Sequence, residues 1–189
     1  MRGAWLFVPA GVVAAVAASA GADRVRSQDP EGIAAVVAQV EELNSMRSSL
    51  ARAFGEQGVP ADRETFRQVC RPVGMRARAM AEEYGWVVQQ LAEKHRNPAN
   101  DLDQQARSVY EAMLADPDLM GVWRRSDQED GAGLRYFRRI VVEEACLACH
   151  GARDARPDFV VEGYPEDRAY DFQVGDLRGI YSVFVPDAD

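Results

Sequence analysis

The sequence predicts an α+β domain with a mostly antiparallel sheet, and three observations predict it. Apolar residues recur at helical spacing through the first half of the chain. Short runs of aromatic and β-branched residues follow in the second half. No regular alternation of strand and helix links the two, which excludes a parallel α/β layout. The 189 residues, 47% of them hydrophobic and 28% charged, suffice for one domain with a core of its own.

Taken in order, "PEGIAAVVAQVEELNSMRSSLARAF" places Ile33, Val36, Val37, Val40, Leu43, Leu50 and Phe54 on one helical stripe. Pro30 suits its first turn, Asp29 can cap it, and Gly55 and Gly58 are expected to end it. A second helix begins at Ala61–Asp62 and carries Phe66, Val69, Cys70 and Val73. Pro72 is expected to kink or break it before the pattern resumes through Met80. "GWVVQQLAEKHRNPAN" opens with a strand and ends in a loop around Asn97-Pro98. "DLDQQARSVYEAMLAD" returns to helix spacing through Leu102, Ala106, Val109 and Met113, with Pro117 beyond its end. "LRYFRRIVVEEA" reads as a strand after a turn at Gly131–Gly133. A long irregular stretch follows, and "RGIYSVFVP" is the final strand.

Residues 1–22 form a segment apart from the domain at 23–189. Arg2 is followed by an uncharged, mostly apolar run to Ala22, with small residues in A-x-A arrangement at Ala18, Ala20 and Ala22. This is the pattern of a secretory signal peptide. The run, residues 4–22, is also about long enough for an uncleaved membrane anchor, but its richness in Ala and Gly favours cleavage. It holds no Cys, which excludes a lipoprotein anchor. Export to a periplasm or its equivalent is expected either way. The net charge of -8, from 22 basic and 30 acidic side chains, argues against a nucleic-acid binder.

The most specific chemistry lies in "EEACLACHGARD". Cys146 and Cys149 are spaced to attach both vinyl groups of one haem, and His150 follows at once to ligate the iron. A tetrahedral zinc site needs three or four ligands, and the sequence shows no second pair at ligand spacing. A thioredoxin-like centre needs its CxxC at a helix start within a βαβ unit, and none is apparent. A structural disulfide leaves one thiol over in an oxidising compartment, whereas a haem uses Cys146 and Cys149 together. One motif predicts one covalent haem c. For the other face of the iron, the residues leave open Cys70, His95, Met46, Met75, Met80, Met113 and Met120, or no ligand at all.

From Cys70 to its end the chain resembles a family of exported haem c domains with a PAS-like fold, long described only as a domain of unknown function. The resemblance rests on "VC" at Cys70, "GWVV" around Trp86, "KHRNPAN" from Lys94, "CLACHG", "YPEDRA" from Tyr164 and "GDLRGIYSVFVP" from Gly175. Departures occur at Gln90, Ala92, Leu102, Gln105 and Ala106, and Asp171 stands where the family has Gly. The resemblance implies a PAS-like antiparallel sheet with flanking helices, and His150 with Cys70 as the two axial ligands. It also makes Arg178 a candidate for a propionate contact. Arg135, Arg138 and Arg139 are alternatives, although alternating Arg at a strand end more often marks a solvated edge. Such domains often form the sensing part of membrane kinases and chemoreceptors.

A redox or small-gas sensor acting through a redox or signalling partner protein is therefore the expected function. An electron-transfer cytochrome c is the alternative. A haem enzyme would need an open distal face with an acid–base group, for which only His95 is available, so the chain is expected not to be an enzyme.

Overall fold

The computed structural model describes residues 30–58, 60–128 and 131–187. The expected signal segment at 1–22 lies outside the described residues. Asp62 caps helix α2 (Arg63–Tyr84) by accepting from Thr65 N at 2.8 Å, and Gly85 ends it in the left-handed conformation, φ 70°. Helix α1 (Pro30–Gln57) precedes it. Strand β1 (Val87–Leu91) and helix α3 (Gln104–Ala115) follow. Strands β2 (Gly121–Gln128) and β3 (Gly131–Val141) come next, then short helices α4 (Leu147–His150) and α5 (Asp158–Gly163), and last strand β4 (Leu177–Pro186).

The strands form one antiparallel sheet in the order β1-β4-β3-β2. Alternation along β3 and β4 directs side chains to two apolar layers. Tyr136, Ile140, Tyr181, Val183 and Val185 face α1 and α2, where Val36, Val40, Leu43, Val73 and Met80 meet them. Phe137 and Ile180 face α3, packing on Ala106, Val109, Tyr110 and Met113. The α+β class with an antiparallel sheet is the architecture the sequence predicts.

Several details differ from the sequence reading. Helix α2 runs unbroken through Pro72, which frees only the carbonyl four residues back. Helix α1 continues past Gly55, where the lack of a side chain lets the helix approach Ala145: a Cβ would lie 3.3 Å from the Ala145 methyl. Gly131 and Gly133 belong to β3 rather than to a turn. Strand β2 was not expected; its Arg124, Arg125 and Asp127 mark it as a charged edge strand. No helix among the described residues is long and apolar enough to cross a membrane.

The arginines of β3 are neither a solvated edge nor part of a cofactor site. β3 is an interior strand, so all three guanidiniums are buried and paired within the fold. Arg135 reaches Asp103 at 2.6 Å and Ser182 at 2.7 Å, Arg138 reaches Glu41 at 2.8 Å, and Arg139 donates to the Met113 carbonyl at 2.5 Å.

Candidate functional site

A cavity of about 540 Å³ opens where α1, α2, β1 and the CLACHG segment meet. That is within the usual range for a cofactor or drug-sized ligand. Cys70, Cys146, Cys149, His150 and Arg178 all line it, although they come from three separate parts of the chain.

Cys146 closes a 3-10 turn at Glu144–Cys146, and Cys149 and His150 end α4 directly after it. This compact turn brings both thiols and the imidazole to one wall. Behind them Val142, Ala169 and Phe172 form a small core of their own, on which Cys146 and Leu147 pack. Helix α1 braces the same turn: Arg47 pairs with Glu143 at 2.9 Å and lies 3.7 Å from the Cys146 sulfur, while Ser48 also donates to Glu143.

His150 is prepared as a ligand by the groups around it. Its Nδ1 lies 2.8 Å from the Ala169 carbonyl. A carbonyl only accepts, so Nδ1 carries the proton and Nε2 keeps its lone pair. Arg96 also stands 3.3 Å from Nδ1, but two donors cannot bond each other, and Arg96 instead donates to the Cys149 carbonyl at 2.9 Å. Burial, and then the nearby Arg178 and Arg96 charges, hold the His150 pKa well below its ordinary value. The ring is therefore neutral, as a metal ligand must be.

Helix α2 supplies another wall through Phe66, Val69, Cys70, Val73, Gly74 and Ala77. These residues recur at spacings of three and four, so they make one apolar face turned to the cavity. Cys70 lines the cavity and is exposed to solvent there. Burial and the neighbouring Cys149 raise its thiol to about 11, and burial likewise raises Cys149. A coordinated metal would reverse that preference by binding the thiolate.

Of the methionines and His95 considered opposite His150, only His95 lines the cavity. Met80 and Met113 fill the two apolar layers, and Met75 and Met120 are exposed. His95 is buried with its Nδ1 3.7 Å from an Asp101 carboxylate oxygen, and among the described residues neither that nitrogen nor the Tyr181 hydroxyl, both at the cavity, has a hydrogen-bond partner. Arg178 lies in the cavity wall, donating to the Lys94 carbonyl at 3.1 Å and resting over Phe172. No ion pair of Arg178 is present among the described residues. Burial and the charge of Arg96 depress it to about 10, so this cation favours an anion beside it.

Arg47, Arg96, Asp167 and Tyr181 complete the site and were not singled out from the sequence. Arg47 had a legible signal, since it interrupts the apolar stripe between Leu43 and Phe54. Arg96 and Asp167 lie within the quoted segments but had no local mark of their pairing.

A family model described as Tll0287-like matches residues 24–186. The chain belongs to the Tll0287-like family. The crystal structure of the cyanobacterial heme-protein Tll0287 superposes with a TM-score of 0.74 at 38% identity, covering 85% of this chain and 98% of that one. No curated protein matches the chain. For this member of the Tll0287-like family, the residues able to hold a cofactor are those of the cavity: two thiols on one turn, a neutral imidazole, a third thiol and a guanidinium with no ion pair among the described residues. That set fits a haem, whose vinyl groups, iron and propionates need those donor types.

Proposed function

We propose that this protein is an exported mono-haem c protein with His150 and Cys70 as axial ligands, serving as a redox or small-gas sensor. The observation that carries the reading is the convergence of Cys146, Cys149, His150 and Cys70 on one cavity. Kinship with a haem protein supports the cofactor. The CxxCH spacing supports covalent attachment, in which each thiol adds across one vinyl group and nothing is lost. Arg178 is the residue assigned to a propionate.

A haem in this cavity would supply a redox-active iron. His150 offers it Nε2, oriented through Nδ1. Cys70, as thiolate, would favour the ferric state and lower the reduction potential. Cys70 would be the labile partner of the two: a weaker hold on its sulfur in the reduced state would let the thiolate take up a proton from solvent and become a free thiol. CO or NO could then enter the cavity, and α2, which carries Cys70, would be the element that responds. No turnover is proposed: the site serves to change state, and a partner protein reads α2 or α1. A PAS-like sensing domain held in the periplasm, free or anchored through residues 4–22, fits this use.

An electron carrier with Met opposite His is disfavoured, because no methionine among the described residues lines the cavity. The test compares the exported protein with Cys70→Ser, each oxidised, reduced, and reduced under CO. The expected outcome is a changed ferric spectrum and a raised potential in the variant, with CO binding to the reduced parent. An unchanged spectrum and potential would remove Cys70 from the iron.

A further inference from the structure

Asp167 has a fully buried side chain in the turn that follows α5, and neither oxygen lacks a partner. Its Oδ1 accepts from Arg96 Nε at 3.3 Å and from Ala169 N at 3.0 Å. Its Oδ2 accepts from Arg156 at 3.0 Å. A buried carboxylate is costly unless paired and hydrogen-bonded. Two guanidiniums and one backbone amide meet that demand here, drawn from three segments of the chain.

These bonds lead back to His150 by two routes. Through Ala169, whose amide Asp167 holds, the carbonyl of the same residue takes the Nδ1 proton at 2.8 Å. Through Arg96, the second guanidinium nitrogen grips the Cys149 carbonyl at 2.9 Å, one residue before the histidine. The circuit is closed: backbone at Cys149, Arg96, Asp167, Ala169, ring of His150. Rotation of a histidine ring about its last side-chain bond is otherwise soft. Phe172 meets the ring only edge-on, at 6.2 Å between centroids. A hydrogen bond is thus the feature that selects one orientation and one tautomer.

We infer that Asp167 is the positioning residue of this site: by tying Arg96 and Arg156 to the turn that bears Ala169, it fixes the rotation of the His150 ring and the nitrogen that carries its proton. Asp167 lies outside the cavity lining and acts only through Ala169 and Arg96. Its consequence at iron rests on the haem reading; the fixing of the ring does not.

The test uses Asp167→Asn, Asp167→Ala and, as control, Glu41→Gln, which loses an ion pair to Arg138 away from the cavity. Asparagine keeps an acceptor for Ala169 N but not the charge that both guanidiniums need. The first readout is hydrogen exchange of the His150 Nδ1–H, followed by nitrogen-edited NMR in the reduced, CO-saturated protein, which is diamagnetic. Exchange is expected to accelerate about tenfold in Asp167→Asn, the effect of about 1.4 kcal/mol lost from the bond that protects the proton, and further in Asp167→Ala. The control stays at the parent rate. The second readout is the potential. A weaker pull on Nδ1–H and a lost negative charge both favour ferrous iron, shifting the ferrous-to-ferric ratio about tenfold at fixed poise, or 59 mV for one electron.

Unchanged exchange and potential in Asp167→Asn, with only a lower melting temperature, would reduce Asp167 to a structural ion pair and overturn the inference. Should Asp167→Ala fail to fold, Asp167→Asn decides alone. Should the parent carry no haem, the haem reading falls, and the exchange comparison still decides the role of Asp167.

Discussion

Arg178→Met should change stability in opposite directions with and without the haem. Burial, and then Arg96, lower the guanidinium from 12.5 to about 10. At 1.36 kcal/mol per unit that is about 3 kcal/mol against the charged form. Two contacts offset part of it. The bond to the Lys94 carbonyl at 3.1 Å contributes about 1 kcal/mol. The placement 5.4 Å over the Phe172 ring contributes about 0.5 kcal/mol. Methionine keeps much of the packing without the charge. In a haem-free chain, made by replacing Cys146 and Cys149 with Ala, Arg178→Met should therefore raise stability by about 1–2 kcal/mol. In the haem-loaded protein it strands a propionate, and breaking a buried pair costs about 3 kcal/mol, the low end of the usual range because the cavity is open to water. Urea midpoints at constant slope measure both changes. A shift of the same sign in both forms, or a loaded form altered by less than about 0.5 kcal/mol, would refute the propionate assignment.

Two further predictions concern the frame around the site. Asp103 caps α3 and pairs with Arg135; burial opposes its ionisation, but bonds from Arg135 and Ala106 N win and hold it below its ordinary 3.8. Its contribution is thus present above that value and is lost as pH falls through the depressed folded pKa. Asp103→Asn, which retains a good cap, should flatten the acid limb of a stability–pH curve and cost about 1 kcal/mol near neutrality, since the carboxylate is half exposed. An acid limb as steep as the parent's would contradict this. Gly133→Ala should cost about 2–3 kcal/mol in chemical denaturation, because a Cβ there meets the Val185 carbonyl and comes within 2.7 Å of the Phe184 ring. A neutral effect would mean that β3 and β4 can separate at no cost.

How much of this was legible depended on whether the cause was local. The stripes of α1 and α3 carry their burial in their own spacing, so Val36, Val40, Val109 and Met113 were readable as core. Pro72 misled because the rule against proline in helices is a cost, and packing through Val73 and Met80 outweighs it here. Strand β2 escaped because an edge strand of Arg, Ser, Asp and Gln shows little alternation. The β3 arginines looked like an edge because nothing near them in sequence shows Asp103 or Glu41 folding over them. The same contrast divides the site. Cys146, Cys149 and His150 were legible because C-x-x-C-H is a motif of five consecutive positions. Cys70 was a leftover thiol until a family resemblance singled it out. Asp167 and Arg96 are separated by 71 residues, and only folding brings them together.

The central claim is the covalent haem, and intact mass under denaturing conditions tests it most directly. Chain secreted by a host that attaches haem c should carry the added mass of one whole haem after unfolding and acid extraction. Cys146→Ala and Cys149→Ala should each leave a single thioether, and the double variant should lose the haem to the solvent. A parent chain whose mass equals that of its polypeptide alone, with Cys146 and Cys149 as free thiols or joined to each other, would contradict the account.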